Sequence, residues 1–185
     1  MNHAAREFRR LRDTIERLLP GTAPFRPGAT GHDLDRLAAE TGLTLPDDLC
    51  ALLRASAGQD DPDRLHGPLN FHHFLTIDEM IGMHRMLTDA VGDLATPVEQ
   101  PACYRWTVWS PSWLPFLAFE GDCYLVDLDP GERGTPGQVV FRPNVPDLGE
   151  PQASSLAAFL TRAADLVETG HASVEESTLV LLDLY

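Results

Sequence analysis

Along the chain, apolar positions recur first with helical and then with strand periodicity. Residues 4–19 place Phe8, Leu11, Ile15, Leu18 and Leu19 on one helical face and arginines and acids on the others. That pattern predicts an amphipathic helix, which Pro20 and Gly21 stop. Residues 21–28, with Pro24 and Pro27 between glycines, read as a connector. Thr30 is a candidate cap for a second helix carrying Leu34, Leu37 and Ala38 and ending at Gly42, where glycine permits the left-handed conformation. Pro46 suits the first turn of a third helix, whose Leu49, Leu52, Leu53 and Ser56 share a face before Gly58. Residues 59–70, rich in Asp, Gly and Pro, predict an acidic loop. Thr76 and Glu79 have capping-box spacing ahead of a stripe of Ile77, Met80, Ile81, His84, Leu87 and Val91.

Beyond residue 101 the pattern changes to β-favouring runs at 104–109, 113–119, 123–128 and 138–142, followed by a helix at 155–168 that buries Leu156, Phe159, Leu160, Ala163 and Val167. The tail from Ser173 to Tyr185 ends in the apolar stretch TLVLLDLY, which fits either element type. Helices, then adjacent strands, then a helix predict an α+β fold with a mainly antiparallel sheet packed with helices. Short links between the last three strands favour hairpins. The expected organisation is an N-terminal helical arm and linker at 1–28, a main domain at 29–170 and a C-terminal extension at 171–185.

At 185 residues and 43% hydrophobic, the chain can bury a full core without a staple. Its three cysteines, Cys50, Cys103 and Cys123, are odd in number and form no CxxC pair, which favours a reducing compartment, the cytosol by default. Neither a signal peptide nor a membrane span of roughly 20 apolar residues is evident. All 14 basic residues are arginines, which excludes chemistry that requires a lysine. The formal charge of −14 is uneven: residues 1–30 carry six arginines against three acids, and residues 31–185 carry eight against 25. Such acidity disfavours nucleic acid and anionic lipid and suits a basic protein partner.

Several segments together resemble the SUKH superfamily, the group that includes the fungal cell-wall assembly regulator and many bacterial immunity proteins. LDRLAAETGLTLPDDLCALLRASAGQ at 34–59 is similar to its opening helix pair. WLPF at 113–116, GDCYLVDLDP at 121–130 and GQVV at 137–140 resemble its sheet signature, and SLAAFLTRAADLVETG at 155–170 its closing helix. In the family, paired small residues usually follow the second helix; here Gly58 is followed by Gln59 and acids. The first helix and the last 15 residues lie outside the shared core. The resemblance implies a sheet packed with helices, no cofactor and a protein-binding role without catalysis. Bacterial members commonly neutralise toxins encoded beside them, many of them nucleases. A regulatory adaptor in cell-wall or growth control is the alternative.

Asp122, Asp127 and Asp129 flank one strand, and carboxylates two apart there fit a divalent cation in a metal-dependent enzyme. Asp129, Pro130 and Gly131 also have ample reason to form a turn, the reading preferred here. His66, His72, His73 and His84 fit no standard zinc spacing. Trp106, Trp109 and Trp113 form an aromatic stretch, in which Trp113 is assigned to packing and Trp109 to a possible interface. The expected partner-binding residues are Asp60, Asp61, Asp63, Trp109, Glu120, Asp122 and Glu132, with a basic toxin domain as partner.

Overall fold

A computed structural model describes residues 2–21, 24–60, 67–91, 101–105, 108–144, 148–181 and 184. Helix α1 (His3–Leu18) starts where the Asn2 side chain accepts from the Ala5 amide. Its apolar face, including Phe8, Leu11 and Ile15, is buried against α3 and α5. The segment expected as an arm thus contributes to the same core as the rest of the chain. Arg10 joins it to α5 (Leu156–Glu168), donating to Glu168 at 2.6 Å and pairing with Asp165 at 2.7 Å and with the buried Glu7 at 3.1 Å.

Helix α2 (Gly31–Thr41) opens on a capping box between Thr30 and Asp33 and closes at Gly42 with φ of 71°. Helix α3 (Asp47–Ala55) begins one residue later than expected. Pro46 is its N-cap rather than part of its first turn. Helix α4 (Ile77–Val91) is capped by the predicted pair: Thr76 donates its N–H and hydroxyl to Glu79, whose own N–H donates to the Thr76 hydroxyl. Ile77, Met80, Ile81 and His84 are buried along it. The side chain of Val91, assigned to this stripe, lies outside the described residues.

Strands β1 (His73–Phe74), β2 (Trp113–Phe119), β3 (Asp122–Asp127) and β4 (Gln138–Arg142) form an antiparallel sheet in that order, giving the expected α+β fold. The β2–β3 turn is Glu120 and Gly121, both at positive φ (46° and 95°), the twist that lets a two-residue turn close a hairpin. Pro115 has no N–H to give the ladder, and the register shifts between Pro115 and Leu117.

One predicted strand is not found among the described residues. Of residues 104–109, Tyr104, Arg105, Val108 and Trp109 are described and none is in a strand; Trp106 and Thr107 lie outside the described residues. The rings of Tyr104 and Trp109 are buried outside any strand, with the Tyr104 hydroxyl donating to the Gly149 carbonyl at 2.8 Å. Aromatic enrichment reported burial, not ladder pairing. The position beside β2 belongs instead to β1, a two-residue strand.

The tail forms a second sheet of β5 (Ala172–Glu175) and β6 (Thr178–Leu181). Residues 68–70 hold it: the Leu179 N–H donates to the Pro68 carbonyl at 2.9 Å, and the Asn70 N–H to the Leu179 carbonyl at 2.8 Å. The Leu181 N–H reaches the Asn70 side-chain oxygen at 2.6 Å. Among the described residues no helix is long and apolar enough to cross a membrane.

Candidate protein-binding surface

The loop that carries Asp60 is rigid at its root. Ser56 ends α3 with its hydroxyl within 3.0 Å of the Arg26 carbonyl and 2.9 Å of the Gly58 carbonyl. Gly58 sits at φ of 95°, and a Cβ there would come within 2.6 Å of the Leu75 carbonyl oxygen. Gln59 then ties the loop to the sheet, its N–H donating to the Phe74 carbonyl at 3.0 Å and its side-chain oxygen accepting from the Phe74 N–H at 2.9 Å. The exposed Asp60 faces Arg26 at 3.3 Å. Gly58→Ala meets both an unfavourable φ and backbone it cannot displace, so a loss of about 2 kcal/mol is expected in urea unfolding. An unchanged midpoint would refute this account of the loop.

Next to this loop, the N-termini of α2 and α4 open on a cleft of about 320 Å³ lined by Arg26, Asp33, Arg36, Ala57, Thr76 and Asp78, among others. Arg36 donates to Asp78 at 2.6 Å, and Arg85 to Glu40 at 2.7 Å, so the α2–α4 surface spends its arginines on its own acids. Hydrogen bonds from the Thr30 hydroxyl and N–H hold the Asp33 carboxyl below its usual range. Residues 31–90 contain eleven acids against four arginines, a net of −7. Asp33 and Asp78 did not stand out in the sequence. Their Thr-x-x-acid and first-turn positions mark helix starts, and only folding brings the two starts to one cleft.

Those of the expected acids that are described do not all lie together. Asp61 and Asp63 lie outside the described residues. Glu120 and Asp122 occupy the β2–β3 turn, where the Asp122 carboxylate accepts from the Asn144 N–H at 2.6 Å. Glu132 is exposed on the β3–β4 connection, at the opposite end of β3. Five residue steps separate those ends, about 17 Å. Trp109 is not on the surface at all. It is 6% exposed, donates its indole N–H to the Thr88 hydroxyl at 3.1 Å and meets Trp113 edge-to-face at 5.9 Å. The interface expected of Trp109 is corrected to packing, because its ring is buried in the core against Trp113 and His84.

The three aspartates around β3 are separated as well. Asp127 is fully buried at the strand end, accepting from the Asp129 N–H at 3.1 Å and from Gln138 at 2.9 Å. Burial raises its carboxyl above the usual range. Asp129 pairs with Arg105 at 3.0 Å, and Asp122 is at the far end of the strand. Among the described residues, no group of three or more His, Cys, Asp or Glu side chains is placed to hold a metal ion. His84 donates to the Pro111 carbonyl at 2.8 Å, His72 is buried, and His66 lies outside the described residues. Burial pushes the Cys123 thiol up to about 12 and raises that of Cys103, so both stay protonated near neutrality.

Two comparisons place the chain among known proteins. It is 29% identical over 174 residues to a cell wall biosynthesis/cell cycle regulator, smi1, of Schizosaccharomyces pombe. That alignment covers 85% of this chain and 34% of the yeast protein, so the chain spans about a third of its relative's length. The SMI1 / KNR4 family (SUKH-1) matches residues 28–162, a stretch that runs from the start of the cleft through the four-stranded sheet into α5. With the helix pair, the four-stranded antiparallel sheet and the first half of the closing helix inside that match, the chain belongs to the SMI1 / KNR4 family (SUKH-1).

Proposed function

We propose that this chain is a non-enzymatic protein-binding domain that acts as an immunity protein, blocking a toxin domain with a basic active-site surface. The observation that carries the reading is the acid excess around the α2–α4 cleft, where Arg26, Arg36 and Arg85 are each paired with an acid of this chain. What remains toward a partner is negative. A nuclease-type toxin presents the opposite sign, because its own surface must attract phosphates. Asp60, Asp61 and Asp63 supply the leading contact segment, with Glu120 and Asp122 as a second region and Glu132 at the far end of the sheet. Long-range attraction speeds encounter, and local pairs select the partner.

Capture of the partner from the native host, with sequencing of the neighbouring genes, tests the reading. A toxin-like gene next door whose product copurifies supports it; a housekeeping partner with no such neighbour overturns it. Reversing the loop charges in one variant, Asp60→Arg with Asp61→Arg and Asp63→Arg, is expected to slow association about tenfold or more while leaving circular dichroism unchanged. Unaltered kinetics would remove the loop from the interface.

The yeast relative's description favours a second reading, a regulatory adaptor in cell-wall or growth control. Deleting α1 does not separate the two, since Phe8, Leu11 and Ile15 belong to the core. Reversing the α1 surface charges, Arg9→Glu with Arg17→Glu, does: an adaptor that docks through α1 loses binding, whereas an inhibitor acting through the acidic body keeps it.

A further inference from the structure

Among the described residues, nothing pairs with one strand edge of the β5–β6 hairpin. Its turn, Glu176 and Ser177, has positive φ at both residues (44° and 68°), so Glu175 and Thr178 flank a tight two-residue turn. Register then alternates along the ladder. Val174 stands opposite Leu179 and Ala172 opposite Leu181. The backbone of Leu179 and the N–H of Leu181 are engaged on the far side, by residues 68–70. Pairs of that kind point their backbone groups away from each other, so the N–H and C=O of Ala172 and Val174 face outward. None of the described residues takes them, and the Val174 side chain is 56% exposed beside them.

We propose that this edge pairs with the same edge of a second copy of the chain, antiparallel about a two-fold axis at Ser173. An isologous contact requires that each residue suit its mirror position, and the local sequence His-Ala-Ser-Val-Glu does so when read against itself. His171 falls opposite Glu175 of the second copy, Ala172 opposite Val174, and Ser173 opposite itself. Small faces large, an imidazole faces a carboxylate, and Ala172 and Val174 of each copy exchange backbone hydrogen bonds with their counterparts.

The surroundings of the edge fit the same occupant. An open groove of about 600 Å³ meets it at His171, with His3, Thr161, Arg162, Asp165 and Thr169 among its other lining residues. Its one acid, Asp165, is already paired with Arg10 at 2.7 Å. Past the His171–Glu175 pair, the acidic turn of the second copy therefore meets no unpaired acid of this groove. The net −14 on each copy opposes association at long range, but at 0.15 M salt the screening length is about 8 Å, and the local pairs decide.

Sedimentation of the full chain at about 100 µM and 0.15 M salt tests the proposal, with a dimer expected in place of a monomer. Val174→Pro removes an outward N–H without touching the hairpin's own ladder, and it should give a monomer with unchanged circular dichroism. Glu175→Arg should also give a monomer, because it sets a cation against His171. Adding His171→Glu to Glu175→Arg exchanges the pair and should restore the dimer, a rescue that mere damage to the hairpin would not produce. A parent chain that stays monomeric at that concentration overturns the proposal. So does a dimer that Glu175→Arg leaves intact, or a Glu175→Arg monomer that His171→Glu fails to rescue.

Discussion

Trp113→Ala is expected to cost about 3–5 kcal/mol of stability and, at about 2–4 °C per kcal/mol, to lower Tm by roughly 10 °C. Trp113 is 1% exposed and receives the edges of Trp109 at 5.9 Å and Tyr104 at 6.1 Å. Its removal opens a hole where β2 meets the segment before it. The loss extends beyond volume, since the indole also stabilises the buried Asp127 carboxylate that faces it across the ladder, pulling its pKa down against the larger effect of burial. Trp113→Phe keeps most of the ring but withdraws the polar N–H beside Asp127, and about 1–2 kcal/mol is expected. Thermal and urea unfolding of the two variants separate packing from that polar interaction. Were Trp113→Ala to leave Tm unchanged and abolish partner binding, the residue would be a contact and not a core side chain.

Acid should weaken the protein through His72. The imidazole is 2% exposed, lies 4.9 Å from the Tyr124 ring and donates Nδ1–H to the Asn70 carbonyl at 2.6 Å. Its Nε2 has no hydrogen-bond partner among the described residues. A proton placed there would be buried and unsatisfied. Burial lowers the pKa from 6.5 to about 4, against the opposing pull of the Asn70 carbonyl and the Asp122 carboxylate. Between those two values the unfolded chain binds the proton and the folded chain does not. Stability therefore falls as pH drops from about 6.5 to 4, by about 3 kcal/mol in all, and this group contributes no pH dependence above about 7. Urea unfolding of the parent and of His72→Asn at pH 7 and pH 4 isolates the effect: the free-energy gap between them should shrink by about 3 kcal/mol at the lower pH. A constant gap would show that His72 is not the group that titrates.

The position of His72 explains why it escaped a reading by pattern. It sits in an FHHF run beside an expected loop, and its burial depends on Tyr124, Phe119 and Phe141, which the β2–β3–β4 ladder brings over it from at least 47 positions away. The β5–β6 hairpin was open to either element type for a similar reason. Its turn has no glycine to announce it, and its anchor is Asn70, more than 100 residues earlier in the chain. The aromatic run at 104–109 misled in the opposite direction, because the side chains that favour strands are also the side chains that fill a core.

What the sequence determined by itself is local or cumulative. The helices follow from 3.6-residue periodicity with caps at Thr30 and Thr76, three strands follow from apolar runs at 113–119, 123–128 and 138–142, and the family follows from the order of motifs. Each such signal lies within a few residues of the feature it reports. Only the tertiary structure decided that Trp109 is interior, that Glu132 stands apart from Glu120 and Asp122, that two helix starts share one cleft, and that β5 keeps an edge that no described residue pairs with. Those outcomes depend on which distant backbone or ring comes to lie alongside. Burial and strand pairing are set by such neighbours, and no local pattern encodes them.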